Sequence, residues 1–281
     1  MIKYIIIAIL QGLFEWLPIS SSGQTMIVSI NLFGISPENA FSLAIWLHLG
    51  TTIAVLLKFR GDFTGVIKSL IPNRFEMGDI NIKKRNWIIY ATIGTAITAL
   101  PLYFIFKILF LNVFTAFQGD IITLFISGLL IITGLIIIWT RKMYGNLILR
   151  EISNRKLRMD SLVSGLVQGI SILPGISRSG ITVSSILLEK YNQEYALKLS
   201  FLMSVPVAIA SIVVDIIFGQ GSIFGTLDLI TILAITLTSF LIGYLTIELL
   251  LFIAKKINFG YFCVLYGVIA YLVIIPFLGI P

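Results

Sequence analysis

Apolar segments of bilayer-spanning length recur along the entire chain, and this feature limits its fold more than any other. Six read as full spans: Phe41 to Leu57, Trp87 to Leu109, Ile121 to Trp139, Tyr195 to Phe218, Leu229 to Ala254 and Phe259 to Phe277. A helix needs roughly 20 apolar residues to cross a hydrocarbon core of about 30 Å. In lipid every backbone N–H and C=O must be paired within the protein, so segments of this kind are helices. Two further segments are apolar but broken. Ile2 to Phe33 is interrupted at Glu15-Trp16-Leu17-Pro18-Ile19-Ser20-Ser21-Ser22-Gly23, and Ser161 to Leu188 at Leu173-Pro174-Gly175-Ile176-Ser177-Arg178-Ser179-Gly180. Each flank is too short to cross alone, and non-helical backbone at membrane depth is tolerated only where protein or a water-filled cavity satisfies it. Both read as re-entrant helix-turn-helix hairpins that leave by the side they entered. The expected fold is an all-α polytopic membrane protein with six transmembrane helices and two re-entrant hairpins.

Composition excludes the soluble alternative. Hydrophobic residues make up 58% of the chain and charged residues 12%, where a soluble domain carries roughly 25% charged. The first apolar run, Ile5 to Leu10, lacks a small-residue cleavage pattern and reads as part of the mature fold. The lone cysteine, Cys263, excludes an intrachain disulfide and a cysteine metal cluster, and is assigned to packing. The formal charge of +7 has to be read by position. Of the 20 Lys and Arg residues, 17 fall in loops that the expected topology puts on one side; only Lys3 and Lys107 fall on the other, and Arg178 lies inside a hairpin. Positive loops stay cytoplasmic, so both termini and the mouth of the first hairpin are expected to face outward from a plasma membrane. Topology and attraction to anionic lipids explain the basic loops without nucleic acid.

The two hairpins also match in sequence. Gln11-Gly12 precedes Ser20-x-Ser22-Gly23 by the interval at which Gln168-Gly169 precedes Ser177-x-Ser179-Gly180, and Thr25 matches Thr182. A Leu-Pro pair lies within each series, displaced by one residue. Each hairpin is followed by three spans, which turns the second half over relative to the first. The expectation is an inverted-topology repeat of residues 1–140 and 141–281, together one membrane domain, with a binding site at their interface.

Serine is a preferred N-cap, so each Ser-x-Ser-Gly aims a helix N-terminus at its turn. If the hairpins meet near the midplane, two positive dipole ends and Arg178 converge on one anion site. An arginine at bilayer depth costs about 2.5 to 3.5 kcal/mol on insertion scales and needs a partner, and its planar fork suits a phosphate. Glu15 is the only carboxylate in either turn, and Gln11 projects from the same helix face one turn earlier. A carboxylate beside an anion site calls for a divalent cation or for a role as proton acceptor. Ser20, Ser21 and Ser22 supply candidate nucleophiles close by.

Gln11-x-x-x-Glu15 with Leu17-Pro18-Ile19-Ser20-Ser21-Ser22-Gly23, and Pro174-Gly175-Ile176-Ser177-Arg178-Ser179-Gly180-Ile181-Thr182, resemble the two signatures of the undecaprenyl-diphosphatase (bacitracin-resistance) family across essentially the whole chain. The resemblance implies removal of the terminal phosphate from a polyprenyl diphosphate to give the monophosphate lipid carrier, as in carrier recycling for cell-wall biogenesis. It implies a site open to the extracytoplasmic side and assistance from Mg²⁺ or Ca²⁺. Carried over, Glu15 is the base or metal-linked acid, Ser21 the nucleophile, and Arg178, Ser177, Ser179 and Thr182 the phosphate clamp, with Gln11, Ser20, Ser22 and Gln24 at the substrate. Implied partners are the lipid diphosphate, membrane lipids and a second copy of the chain as candidate. The family's first signature usually ends in histidine where this chain has Gln24, which excludes a histidine nucleophile there. The only histidine, His48, is expected to take its place in the same cavity.

Blander roles stand beside each assignment. Arg178 can clamp backbone carbonyls, Glu15 can pair with Arg178, the serines can be caps, and His48 can hydrogen-bond across helices. Asp215 and Glu248 are expected at interfaces near span ends. The rival function is a transporter or flippase for a phosphorylated isoprenoid lipid, because inverted repeats with broken helices suit alternating access.

Overall fold

The computed structural model describes residues 1–70, 79–108, 118–140, 145–218, 223–256 and 259–275. Twelve helices appear among these residues: α1 Ile2–Phe14, α2 Ser21–Asn31, α3 Pro37–Lys58, α4 Arg60–Lys68, α5 Asp79–Phe106, α6 Gln118–Thr140, α7 Asn154–Ile170, α8 Arg178–Leu188, α9 Gln193–Phe218, α10 Ile223–Thr226, α11 Leu229–Lys256 and α12 Phe259–Ile274. Five of them (α3, α5, α6, α9 and α11) are long and apolar enough to cross a bilayer. The sixth expected span corresponds to α12, which is 16 residues long. The expected ends at Leu109 and Phe277, and the basic residues Arg74, Arg141 and Lys142, lie outside the described residues.

Both broken segments form pairs of short helices. α2 and α8 have 11 residues each, a length of about 16 Å, half of what a crossing needs. Large apolar side chains such as Ile89, Ile93 and Ile97 on α5 and Leu233, Leu237 and Leu241 on α11 are exposed. In water such a belt would drive association; in a bilayer it is the face turned to lipid. The chain is a multi-pass membrane protein.

Lipid tails are as apolar as leucine, so these helices gain cohesion from close approach and from hydrogen bonds. The tightest case is α5 against α7. A Cβ added at Gly165 would run into the Ala91 carbonyl oxygen and stand 2.8 Å from the Ala91 Cα, and one at Gly94 would stand 2.9 Å from Leu166 N. The approach lets Thr95 and Thr98 donate to the carbonyls of Gly165 and Leu166 at 3.0 and 2.8 Å. α1 uses Gly12 in the same way against α11, where Trp16 Nε1 donates to Gly243 O at 2.9 Å. The first arm of each helix pair thus packs on a long helix from the other half of the chain.

Basic side chains gather at the ends of α3, α5 and α9. Lys84 and Lys198 both bind Asp62 of α4, at 2.5 and 3.0 Å, and Lys58 pairs with Glu248. Burial pushes the Asp62 carboxyl up, but hydrogen bonds and charge from Lys84 and Lys198 outweigh it and hold the group below its ordinary value. Glu248 is exposed, eight residues before the end of α11. Asp215, three residues before the end of α9, is instead buried, accepting from Ser42 Oγ at 2.5 Å and Tyr103 OH at 3.4 Å. The two hydroxyls come from α3 and α5, so no pattern along α9 could reveal them.

Two outcomes follow from this packing. Gly165→Val should lower the midpoint of thermal unfolding in detergent, by a cost of about 1–3 kcal/mol or more, while Gly225→Val, where nothing stands within 4 Å, should leave it unchanged. Asp62→Asn should lower the midpoint at neutral pH. Because the folded group titrates below 3.8, its contribution is fully present above that value, and the gap between variant and parent should close as pH falls through the depressed folded value.

Candidate active site

The two non-helical turns meet face to face. Ser20 adopts a left-handed backbone (φ 58°), and its hydroxyl accepts the Gly23 N–H at 3.3 Å, which caps α2. The same oxygen accepts the Gly175 N–H from the other turn at 3.1 Å. Gly175 has φ +103°, a conformation suited to glycine, and a Cβ at Gly23 would lie 2.8 Å from Gly175 N. Ser177 caps α8 by accepting the Gly180 N–H at 3.1 Å. Thr133 of α6 steadies the second turn, donating to Gly175 O at 3.1 Å and accepting from Ser177 N at 3.3 Å.

This docking brings two positions that match in the two turn sequences to one group. Ser21 opens α2 and Arg178 opens α8, and both reach the buried Glu15: Ser21 Oγ donates to Oε2 at 2.7 Å, and Arg178 Nη2 donates to Oε1. Gln11 Nε2 donates to Oε2 at 2.8 Å. His48 Nε2, from α3, stands 3.4 Å from the same oxygen. The helix starts leave first-turn N–H groups facing the turns, where an anion is favoured.

These residues line part of a cavity of about 250 Å³. Its polar lining includes Glu15, Ser20, Ser21, Ser22, His48, Ser177, Arg178 and Ser179. Much of the rest is apolar, from Phe41 and Ile45 of α3, Ala96, Ala99 and Leu100 of α5, and Val207 and Val214 of α9. Three residues assigned to substrate from sequence stand behind this wall. Gln11 is turned to Glu15; Gln24 Nε2 donates to Ile19 O at 3.3 Å; Thr182 Oγ1 donates to Arg178 O at 2.6 Å and shares a hydrogen with Ser200 Oγ at 2.5 Å. Gln168, marked in the sequence only as the counterpart of Gln11, joins the lining, and sequence reasoning missed Tyr103 and Thr95 in the lining and Thr133 and Ser200 in support. Nothing local marks these four, because tertiary packing alone brings them here. Cys263 is buried as expected, with Sγ 3.3 Å from Pro18 O in the first turn. Among the described residues no three His, Cys, Asp or Glu side chains gather as a metal cluster.

Arg178→Ala should strand a buried carboxylate, a loss of about 3–5 kcal/mol. Adding Glu15→Gln to that variant should restore much of the lost unfolding midpoint, and the double-mutant cycle measures the coupling.

The family model described as "Bacitracin resistance protein BacA" matches residues 4–272. Among curated relatives, a protein of Methanothrix thermoacetophila is 36% identical over 268 residues, covering 95% of this chain and 94% of the relative. One from Methanococcoides burtonii is 38% identical over 271 residues, covering 95% and 96%, and one from Methanopyrus kandleri is 34% identical over 278 residues, covering 96% and 94%. All three carry the name undecaprenyl-diphosphatase. With its hairpin turns joined at Glu15 and this match over nearly its full length, the chain belongs to the bacitracin resistance protein BacA family.

Proposed function

We propose that this chain is an integral membrane phosphatase that removes the terminal phosphate of a polyprenyl diphosphate of undecaprenyl type, releasing phosphate and the lipid monophosphate. One observation carries the reading: a hydroxyl and a guanidinium, Ser21 and Arg178, converge on the two oxygens of a single buried carboxylate. The names of the relatives support the substrate class.

The reaction follows from exchange at Glu15. An arriving phosphate draws Arg178 off the carboxylate, because the guanidinium fork pairs with phosphate oxygens as readily as with a carboxylate. Glu15, relieved of its counter-ion, takes the proton of Ser21 as Oγ bonds to the terminal phosphorus. The bridging P–O bond breaks, and its electron pair leaves with the lipid monophosphate. Water then bonds to the phosphorus of the phosphoserine, the P–Oγ bond breaks, Glu15 returns its proton to Ser21 Oγ, and the protons of the water leave on the released phosphate. Arg178 and the N–H groups opening α2 and α8, with Ser177 and Ser179 beside them, balance the charge on the transferred group, usually the largest catalytic contribution. A divalent cation, Mg²⁺ or Ca²⁺, fits this set: Gln11 Oε1 is buried without a partner, so Gln11 and Glu15 would hold the ion, which would neutralise diphosphate charge.

The exchanged packing of α1 on α11 and α7 on α5 supports an inverted repeat of residues 1–140 and 141–281. The cavity draws on Phe41 to His48, Thr92 to Tyr103 and Val207 to Val214, stretches of α3, α5 and α9 remote from Lys58, Lys84 and Lys198. With basic ends cytoplasmic, that supports two hairpins entering from opposite leaflets, termini outside and a site open to the extracytoplasmic side. Small side chains at Ala96, Ala99 and Ala210 leave room for an isoprenoid tail between α5 and α9.

Purified protein in detergent should release phosphate from a lipid diphosphate and leave the matched monophosphate intact. Ser21→Ala should lower turnover by at least about 10³ and Arg178→Ala by about 10²–10³. Lipid movement across sealed vesicles without phosphate release would replace the hydrolase with a carrier.

A further inference from the structure

The two glutamines that begin the matching series are engaged differently. Gln11 Nε2 donates to Glu15. Its counterpart Gln168, on α7, is buried and lines the cavity, but four residues on, Ile172 stands where the first turn has Glu15. Gln168 turns to other helices instead: Nε2 donates to Thr95 Oγ1 at 3.0 Å and faces Met203 O at 3.5 Å. Two neighbours fix the amide this way round. The single proton of Thr95 Oγ1 goes to Ala91 O or Gly165 O, at 2.8 and 3.0 Å, and turning the amide over would set its oxygen against the Met203 carbonyl oxygen. Oε1 is therefore an acceptor, and it is buried with no partner.

An amide oxygen without a donor is costly in a buried site. Donors in the same lining have other acceptors: Ser171 Oγ donates to Gln168 O at 2.6 Å, and Ser21 and Arg178 donate to Glu15. Whatever meets Oε1 in the working cavity brings its own proton. An ionised phosphate has only lone pairs, whereas water has two protons to give.

We infer that Gln168 Oε1 orients the water that hydrolyses the phosphoserine. The inference rests on the proposed hydrolysis through Ser21 and deepens it by naming the residue that positions the second nucleophile. In-line displacement brings water to the side of phosphorus away from Ser21 Oγ, the side that the lipid monophosphate has left, and Gln168 comes from the other hairpin. The water donates one hydrogen bond to Oε1 and turns a lone pair to phosphorus. Its oxygen bonds to phosphorus as P–Oγ breaks, the proton on Glu15 returns to Ser21 Oγ, and both water protons leave on the released phosphate. Gln168 takes no proton at any stage, as when a glutamine orients the attacking water in GTP hydrolysis.

The test times the two steps separately. The full chain in detergent is mixed with a lipid diphosphate carrying ³²P in its terminal phosphate and quenched at successive times; label on the protein reports phosphoserine, and free phosphate reports its hydrolysis. Gln168→Met, unbranched and of similar length, should form phosphoprotein within about threefold of the parent rate but hydrolyse it about 10²-fold more slowly, so that label accumulates on Ser21. Thr95→Val, which removes the hydroxyl that fixes the amide, should slow the same step by about tenfold, so the result does not hang on the folding of one variant. A purely structural Gln168 would slow both steps together or neither, and either result overturns its role while the hydrolase stands. Phosphate released with no label on the protein in either variant overturns the role together with the phosphoserine, and no release by the parent overturns the hydrolase itself.

Discussion

A buried carboxylate shared between the two turns holds this molecule's centre together. Glu15 belongs to the first turn and Arg178 to the second, and each would be costly alone in a low-dielectric interior. Paired, they require the turns to meet, and everything around them serves that meeting. Ser21 and Gln11 satisfy the second oxygen of Glu15, so the carboxylate stays fully engaged. The pair is also exchangeable: a phosphate offers Arg178 the same charge and the same geometry. The interaction that joins the two turns is therefore one that a phosphate would replace.

Close approach of the turns follows from residue size. Gly23 and Gly175 leave no side chain between backbones that come within contact, and Ser20 bridges them through one hydroxyl that caps its own helix and receives the neighbouring N–H. The left-handed backbone at Ser20 is a local strain of the kind that surrounding contacts must enforce. Further out, glycine and threonine on α5 and α7 repeat the device with interhelical hydrogen bonds. Cohesion by small residues and hydroxyls leaves large aliphatic side chains free to face lipid, which is why the exterior is apolar while the centre is polar.

Much of this was legible in the chain itself. Span positions followed from apolar length, and the helix breaks from Pro18, Pro174 and Gly175, residues that interrupt helices for backbone reasons alone. Glu15 and Arg178 stood out because charge at membrane depth is expensive. What escaped was set by packing across elements. Asp215 looked interfacial from its distance along α9, yet Ser42 and Tyr103 from other helices bury it. Gln24 and Thr182 sat in the right motifs, but helical rotation turns them to Ile19 and to Ser200. His48, expected in the cavity from its departure from the family pattern, does line it, and the crossing of α3 beside the first turn gives it a carboxylate.

The most direct test of the shared centre is an experimental structure with a non-hydrolysable lipid diphosphate bound. The terminal phosphorus should lie against Ser21 Oγ, with Arg178 moved from Glu15 onto the phosphate oxygens and both helix starts facing the anion. A diphosphate seated elsewhere, with the Arg178–Glu15 pair still closed, would contradict the account.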